Sequence, residues 1–308
     1  MFFYLQDNWT HWNYAEHDSL FRQNLTDTFQ VEFDSCPGTV ASLRAESIAA
    51  CESIRDTYPN ERLCLMFSGG AESEVMVRAF LAAKIPIDVY IARFEKDYNI
   101  YDVSHAVVAC EAMQVPYKII DFDLTHFFEH RAEHYACASQ IFEPFLLPHL
   151  AFSEMVDGVP ILAGGEVALQ RADSDYSKKG TWLVEEKEYN WGWAKYFLST
   201  NRPAIPDWCR WTSNLYLSWM QLHWFKRLIN DEYYGKLGIN STKIEGYREQ
   251  WPELIPRVKA HGFEHIGNMV KELDTYLAVK YNRKAHEARL TYTVDEFYRL
   301  IKGNTNED

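Results

Sequence analysis

The amino-acid sequence predicts an α/β protein with a doubly wound parallel sheet, an N-terminal β-ribbon and a helical, aromatic C-terminal region. The main observation is that apolar segments of strand length alternate with helical segments. The predicted strands of the sheet are residues 63–67, 86–92, 116–122 and 159–163, and the helices between the first three are residues 74–84 and 103–113. Strands and helices that alternate at this spacing form βαβ units with right-handed crossovers. Continuous apolar strands are expected where helices cover both faces of a sheet.

The segment before the sheet predicts a β-ribbon and one helix. Residues 29–33, Phe-Gln-Val-Glu-Phe, alternate between apolar and polar side chains, which is typical of a half-buried strand. After a Pro-Gly break at residues 37–38, apolar side chains recur at helical spacing between Val40 and Ile54. We therefore expect a short ribbon followed by an amphipathic helix.

Composition excludes several classes of protein. The chain of 308 residues carries 31 Lys and Arg against 44 Asp and Glu, a net charge of −13. We therefore expect no general binding to nucleic acid or to an anionic membrane. Six scattered cysteines without a Cys-x-x-Cys pair predict neither a disulfide framework nor a cysteine zinc site. The N-terminus lacks the pattern of a signal peptide, and no apolar run reaches membrane-spanning length, so we expect a cytoplasmic protein.

The most informative segment joins the first strand of the predicted sheet to the following helix. Residues 68–73 read Ser-Gly-Gly-Ala-Glu-Ser. A turn between a parallel strand and a helix N-terminus offers backbone N–H groups and the positive end of the helix dipole to an anion, usually phosphate. Gly69 and Gly70 permit positive φ and close approach of a ligand, and the hydroxyls of Ser68 and Ser73 are donors to phosphate oxygens. The alternative is a tight connection that binds no ligand.

Spacing excludes two common phosphate-binding loops, because neither Gly-x-x-x-x-Gly-Lys-Ser/Thr nor Gly-x-Gly-x-x-Gly follows this strand. The segment instead resembles the PP-loop of the ATP pyrophosphatase superfamily, Ser-Gly-Gly-x-Asp-Ser, which opens a HUP-like adenine-nucleotide-binding domain. Glu72 stands where the family has Asp, and every other fixed position matches. The resemblance covers residues 38–180. Residues 161–166, Ile-Leu-Ala-Gly-Gly-Glu, are also similar to a strand-end segment of asparagine-synthetase-like members.

The resemblance implies that the loop holds the triphosphate of ATP. The residues that would contact the β- and γ-phosphates are Ser68, Gly69, Gly70 and Ser73. Glu72 would position the loop or bind Mg²⁺, and it would act as a catalytic and metal-binding residue.

The resemblance also implies contributions from other strand ends and from a lid. The end of the second strand, residues 92–94, would bind adenine through its backbone, with Arg93 and Phe94 beside the base, and Glu166 would line the pocket. Lys178 and Lys179 would close over the phosphates as catalytic cations. The alternatives are that Glu166 is a surface acid and that Lys178 and Lys179 lie in a solvated loop.

The implied activity is ATP-dependent adenylation and ligation with ATP and Mg²⁺ as cofactors. An oxygen of a second small-molecule substrate attacks the α-phosphate, pyrophosphate leaves, and a nucleophile then displaces AMP. Amide or amine formation is favoured over sulfur transfer, because the chain lacks the paired cysteines of tRNA-thiolating enzymes and the C-terminal Cys-Gly of PAPS reductases. Glu72 leaves an alternative open, a nucleotide-binding protein of the same fold that does not turn ATP over.

A histidine pattern suggests a competing zinc site. His126, His130 and His134 recur every four residues, so on one helix they would share a face with Glu129 and Glu133. The spacing His-x-x-Glu-His is that of inverzincin metallopeptidases. The alternative is a polar helix face.

The C-terminal region is rich in aromatic residues, and eight of the ten tryptophans lie between Trp182 and Trp251. The predicted regions of the chain are a β-ribbon, an ATP-binding domain and a substrate or oligomerisation region, at residues 1–37, 38–180 and 181–308. Helices are expected at residues 191–200, 207–230 and 263–282, with breaks at 201–203 and 235–246. The aromatic helices predict a core or a homo-oligomer face, with a substrate cage as the alternative. Residues 246–257 also resemble asparagine-synthetase-like proteins of large tailed phages.

Overall fold

The described part of the chain contains a four-stranded parallel sheet, a three-stranded antiparallel sheet, a two-stranded ribbon and twelve α-helices. The computed structural model describes residues 9–17, 19–36, 38–165, 167–173, 180–230, 239–255 and 262–302, with the backbone alone at 239–242. The strands are β1 (Thr10–Tyr14), β2 (Phe29–Phe33), β3 (Leu63–Met66), β4 (Asp88–Phe94), β5 (Tyr117–Phe122), β6 (Val159–Ile161), β7 (Leu169–Arg171), β8 (Trp182–Lys187) and β9 (Arg289–Thr293). The helices are α1 (Leu43–Thr57), α2 (Ala71–Ala82), α3 (Ile100–Met113), α4 (Leu124–His130), α5 (Ala132–Ser139), α6 (Leu147–Ser153), α7 (Gly192–Ser199), α8 (Ser213–Met220), α9 (His223–Ile229), α10 (Ile239–Gln250), α11 (Gly267–Lys280) and α12 (Val294–Lys302).

The central sheet is parallel throughout, with strand order β5-β4-β3-β6. Every residue of β3 is buried. Leu63 and Leu65 pack in one apolar cluster with α1, α2 and α3, whereas Cys64 and Met66 pack in a second cluster with α4, α5 and α6. Successive side chains of a strand point to opposite faces, so helices cover both faces of the sheet. The predicted doubly wound α/β fold is confirmed.

The N-terminal segment forms the predicted ribbon. β1 and β2 pair antiparallel, with Trp12 opposite Val31 in the register. The ring of Trp12 stacks on that of Trp191 with centroids 4.6 Å apart, which attaches the ribbon to the segment that precedes α7. The amphipathic helix predicted after residue 38 is α1, and its N-cap Ser42 accepts a hydrogen bond from the N–H of Ala45.

The C-terminal region contains a sheet in addition to its helices. β8 pairs antiparallel with both β7 and β9, and the sequence analysis did not predict these strands. The reason is that Glu185 and Glu186 of β8 are buried although they are charged, so the segment lacks the pattern of a buried strand. Arg210 makes the burial of Glu186 possible, because its Nη1 and Nη2 both donate to that carboxylate at 2.9 Å.

Two predicted helix boundaries in this region were wrong. Residues 207–230 form α8 and α9 with a separate single turn before them, because Thr212 caps α8 with its side chain and the chain turns again at Leu222. The predicted break at residues 235–246 contains the first part of α10, which continues through Gly246. A Cβ atom at Gly246 would lie 3.0 Å from the ring of Trp224, so glycine allows α10 to approach α9 closely.

The aromatic residues of the C-terminal region form part of the interior. Trp208, Trp211, Trp219, Trp224 and Trp251 are all buried, in the same cluster as β3 and α2. This arrangement confirms the expected core. Among the helices that the structure describes, none combines the length and apolar character required to cross a membrane.

A buried ion pair connects the chain after β1 to the chain after β8. Arg22 binds Glu188 in a bidentate manner, with Nη2 to Oε2 at 2.7 Å and Nε to Oε1 at 2.9 Å. The hydroxyl of Tyr14 donates to the same carboxylate at 2.6 Å, and Lys195 Nζ donates to that hydroxyl at 2.7 Å. Burial lowers the pKa of Lys195 to about 8. Removal of one member would leave buried charge without compensation.

We expect Arg22→Met to lower the free energy of unfolding by about 3–5 kcal/mol, because Glu188 would stay buried without its guanidinium partner. Arg62→Met is the matched control, since Arg62 pairs with Asp88 and Asp157 but half of its side chain is exposed. That variant should cost less than about 1 kcal/mol. Urea unfolding of both variants measures the difference, and equal losses would contradict a structural role for the buried pair.

Candidate functional site

The loop of residues 68–73 leaves the sheet at the carboxyl end of β3. The N–H of Phe67 still donates to the carbonyl of Tyr90 at 2.8 Å, as in the sheet. The chain then turns away from β4, and α2 begins at Ala71. The predicted order of strand, glycine turn and helix is therefore present around this segment.

The serine hydroxyls hold the loop in one tight turn. Ser68 Oγ accepts from the N–H of Gly70 at 3.2 Å and lies 3.1 Å from Ser73 Oγ, which donates to the carbonyl of Gly70. Gly70 is the N-cap of α2 and offers no side-chain acceptor to the first turn. Because the first N–H groups of any α-helix lack intrahelical partners, this turn ends at a donor-rich helix N-terminus.

The two glycines have different roles. Gly69 has φ of +73°, and a Cβ atom there would lie 2.8 Å from the carbonyl oxygen of Asp102 in α3. Only glycine suits this position, because both the backbone conformation and the close contact exclude a side chain. Gly70 has φ of −74°, so the expectation of positive φ is correct for Gly69 and wrong for Gly70.

Glu72, the residue at which the motif departs from the family pattern, pairs with a lysine of the C-terminal region. Glu72 lies in the first turn of α2, and its carboxylate forms an ion pair with the ammonium of Lys243 in α10. The two side chains are 17% and 20% exposed. Sequence reasoning missed Lys243, because it lies outside any motif and in a segment predicted as a helix break.

A cavity of about 370 Å³ adjoins the loop at the same end of the sheet. Its volume falls within the range of about 300–1,000 Å³ that is usual for small-molecule sites. Ser68 belongs to both the loop and the cavity wall. The aromatic side chains that line it are Phe67, Phe94, Phe122, Phe145, Phe152 and Phe263, and the polar ones are Ser68, Asn99, Asp102 and His149.

The side chain of Asn99 forms hydrogen bonds with backbone groups at the end of β4, beside the cavity. Its Nδ2 donates to the carbonyl of Ala92 at 2.9 Å, and its Oδ1 accepts from the N–H of Phe94 at 2.8 Å. The resemblance implied that adenine would bind the backbone at residues 92–94. In the structure, one carboxamide already bonds to both of these groups.

The remaining predicted site residues are distributed as follows. Phe94 lines the cavity, whereas Arg93 lies outside it and donates from Nε to Asp121 Oδ1 at 2.6 Å on the protein surface. The predicted residues that lie outside the described part of the chain are Glu166, Lys178 and Lys179. The structure therefore brings the loop and Phe94 together and separates Arg93 from them.

A partly buried acid, Asp207, lies beside Gly164, just after the end of β6, the strand next to β3 in the sheet. Gly164 has φ of +69°, and a Cβ atom there would lie 1.9 Å from Asp207 Oδ1. Within the described ranges Asp207 Oδ1 is buried and has no hydrogen-bond partner, and Arg210 Nε lies 3.5 Å from Oδ2. Burial raises the pKa of Asp207 to about 7, and the charge of Arg210 opposes this shift only in part.

The histidine pattern does not form one helix face. α4 ends at His130, and α5 begins at Ala132 after Arg131, which has non-helical φ and ψ. His126 and His130 stay together with ring centroids 4.7 Å apart, whereas His134 packs against Tyr135 in the second helix. Among the described residues no group of three His, Cys, Asp or Glu side chains is arranged to hold a metal ion.

Comparison with known proteins yields remote structural resemblances. No protein-family model matches the sequence, and no curated protein matches it. The chain is similar to NMN synthetase from Francisella tularensis at 12% identity, over 76% of this chain and 92% of that chain, with a TM-score of 0.32. It is similar to NH3-dependent NAD synthetase from Campylobacter jejuni at 12% identity, over 79% and 96%, with a TM-score of 0.33. A third similar structure is NAD+ synthetase from Burkholderia pseudomallei, at 15% identity over 42% and 64%, with a TM-score of 0.26.

We expect Asp207 to make the protein less stable as pH rises from 5 to 8. The folded-state pKa lies above the unfolded value of 3.8, so the folded state binds more protons in this window, and the stabilisation is lost as pH rises through about 7. Asp207→Asn should remove about 2–3 kcal/mol of this pH dependence.

Thermal or urea unfolding between pH 5 and 8 measures this effect. Other groups also titrate in this range; His286, for example, has its pKa lowered by burial to about 4. Such groups contribute equally to both proteins, so the difference between wild type and variant isolates Asp207. Asp157→Asn is the control, since 93% of the Asp157 side chain is exposed. A wild-type slope that persists unchanged in Asp207→Asn would contradict the assignment.

Proposed function

We propose that the protein binds ATP at the carboxyl ends of β3 and β4 and catalyses an AMP-forming ligation. One observation carries the proposal. The loop of residues 68–73 combines a helix N-terminus with two serine hydroxyls, and it shares Ser68 with an apolar, aromatic cavity of about 370 Å³. A phosphate-binding element next to an aromatic cavity suits a nucleotide, whose base and triphosphate need these two environments.

In this arrangement the base enters the cavity and the triphosphate extends over the loop. The N–H groups at the start of α2 and the positive end of its dipole face the phosphates. Lys243 lies at the same helix end, where its ammonium now pairs with Glu72. An incoming triphosphate offers that ammonium a second anionic partner, so Lys243 is the described cation best placed to neutralise the phosphates.

The residues at the loop suit Mg²⁺ in a limited way. Mg²⁺ is usually held by one or two carboxylates together with substrate phosphates and water. Glu72 supplies one carboxylate at the start of α2, and within the described ranges no cluster of three protein ligands is present. The ion would therefore bind largely through the nucleotide, and its chemical contribution would be to neutralise charge on the leaving pyrophosphate.

The chain contributes position and charge to the reaction. An oxygen of the second substrate attacks the α-phosphate and forms a bond to phosphorus, while the bond between the α-phosphate and the pyrophosphate oxygen breaks. The loop N–H groups and Lys243 stabilise the charge on the departing pyrophosphate. A nucleophile then displaces AMP from the adenylated substrate. The residue pattern of the loop, Ser-Gly-Gly-Ala-Glu-Ser, supports this AMP-forming course through its resemblance to the PP-loop.

One observation favours a second candidate, nucleotide binding without turnover. Glu72 is longer than the aspartate of the family motif, and its carboxylate is engaged by Lys243. If this pair persists with nucleotide bound, neither group contributes to pyrophosphate departure. Product analysis separates the two candidates.

The first experiment compares two substitutions at the N-cap of α2. Asp and Asn cap helices equally well, so Gly70→Asp and Gly70→Asn should fold alike. Both side chains accept hydrogen bonds from the first-turn N–H groups that would face the phosphates, but only the aspartate adds negative charge. We therefore expect Gly70→Asp to lower AMP and pyrophosphate release by about 100-fold and Gly70→Asn to lower it less, by about tenfold. The assay is mass spectrometry of ATP and Mg²⁺ incubated with protein, ammonium, pooled amino acids and nucleobases.

The products decide between the candidates. AMP and pyrophosphate that depend on Gly70, together with a new product mass, support the ligase and identify the acceptor. Release of ADP, or equal AMP release by wild type and Gly70→Asp, counts against the proposed reaction. ATP binding without products in any mixture favours the second candidate.

A further prediction concerns Lys243. We expect Lys243→Met to lower the rate of AMP release by about 100-fold, because one group that neutralises the leaving pyrophosphate is removed. Lys243→Arg should retain part of the activity, since it keeps the charge. Lys271→Met is the control, because Lys271 lies on an exposed part of α11. Rates of Lys243→Met equal to wild type would show that this cation takes no part.

A further inference from the structure

The end of β4 presents backbone hydrogen-bonding groups that β3 does not reach. Along a strand, the N–H and C=O groups of alternate residues point to the same edge. The carbonyl of Tyr90 accepts from the N–H of Phe67 on the β3 side, so Ala92 and Phe94 present their groups to that side as well. The chain has turned into the loop of residues 68–73 at this level. The carbonyl of Ala92 and the N–H of Phe94 are therefore beyond the reach of β3, on the edge of β4 beside the cavity.

Asn99 satisfies both groups with one side chain. Its carboxamide donates to the carbonyl of Ala92 at 2.9 Å and accepts from the N–H of Phe94 at 2.8 Å. Asn99 is only 6% exposed, and it forms part of the cavity wall. The contact is therefore an internal part of the fold.

The same residue is the N-cap of α3, yet its side chain makes no capping hydrogen bond. Asn is among the best N-cap residues, because its side-chain oxygen normally accepts from the N–H groups of the first turn. Here the carboxamide bonds to the strand end in preference to its own helix.

The bonding pattern of this carboxamide is also that of an adenine edge. Adenine carries an amino donor next to a ring-nitrogen acceptor, and a carboxamide offers the same donor and acceptor side by side, so both can bond to a carbonyl and an N–H at once. Guanine carries a carbonyl acceptor and a ring N–H donor at the corresponding positions. If the carbonyl of Ala92 and the N–H of Phe94 were unoccupied, they would therefore select adenine. The Asn99 carboxamide takes the position that the adenine edge would have.

The other polar side chains of the cavity already have interaction partners. Ser68 bonds within the loop to Gly70 and Ser73. Asp102 and His149 also have interaction partners of their own. The rest of the described wall is largely aromatic and aliphatic, so it offers stacking and apolar contact, which are tolerant of base identity.

On the assumption that the proposed ATP site is correct, we propose that Asn99 is a specificity-determining residue that blocks adenine readout. With its carboxamide on Ala92 and Phe94, the cavity accepts adenine and guanine nucleotides nearly equally. Removal of the carboxamide exposes the backbone pair and creates a preference for adenine.

The experiment measures dissociation constants by calorimetry for the α,β-methylene analogues of ATP and GTP, which resist cleavage. For the wild type the two constants should agree within about threefold, a difference close to thermal energy. Asn99→Ala should bind the ATP analogue about tenfold more tightly than the GTP analogue, because a bidentate contact to a base discriminates by about that factor or more. Asn99→Ser, too short to bridge both groups, should behave in the same way. Ser104→Ala, on the exposed side of α3, is the control.

Each outcome bears on the proposal. Equal wild-type constants with adenine preference in both variants support it. A wild type that already prefers the ATP analogue by tenfold or more overturns it, and this arm needs no variant to fold. Folded variants that lose affinity for both analogues equally also overturn it and leave Asn99 a purely structural residue. If neither analogue binds to the folded wild type or to the folded variants, the proposed ATP site itself is wrong. This outcome is distinguishable from the others, because in all of them nucleotide binding is retained.

Discussion

The enclosure of β3 is the constraint on which the rest of the structure depends. This strand has β4 and β6 on its two edges and helices over both faces, and all four of its residues are buried. A strand enclosed in this way reaches the surface only at its ends. At its carboxyl end the buried backbone needs new hydrogen-bond partners, and the chain obtains them because α2 starts directly after a turn at Gly69. Both the φ of Gly69 and its close contact with α3 require glycine. The loop of residues 68–73, the cavity and Asp207 all lie at this end of the sheet, because this is where β3 leaves the interior.

Three neighbouring strands end in three different ways at this edge of the sheet. At β3 the backbone continues into a helix N-terminus, and at β4 the carboxamide of Asn99 takes up the open N–H and carbonyl. At β6 the segment around Ile205 runs alongside, and the N–H groups of Trp208 and Cys209 donate to the carbonyls of Leu162 and Ala163, the two residues that follow the strand. Each arrangement provides hydrogen-bond partners for the buried backbone groups at a strand end, and together the three arrangements determine which polar groups face the cavity. The chemistry available there is a consequence of how the strands terminate.

The sequence predicted those features that depend on local patterns. The parallel strands, the glycine at residue 69 and the aromatic core all follow from short-range periodicity and turn chemistry, and they are present in the structure. The strand β8 was missed because Glu186 is buried through a contact with Arg210, 24 residues away, which no local pattern reveals. Lys243 meets Glu72 across 171 residues, and Asn99 was missed because an asparagine before a helix normally caps it. Contacts of this kind depend on the assembled fold.

The ion pair between Glu72 and Lys243 makes the loop and α10 energetically interdependent. α10 packs against α9, where Gly246 lies on the ring of Trp224, and it contacts α2 through this pair. An anion held at the loop, as in the proposed ATP site, would compete with Glu72 for the lysine and would therefore change the free energy with which α10 docks. Linkage is reciprocal, and any event that loosens or tightens the packing of α10 changes the affinity for the anion by the same factor. The C-terminal half of the chain is therefore coupled to events at a strand end built by the N-terminal half.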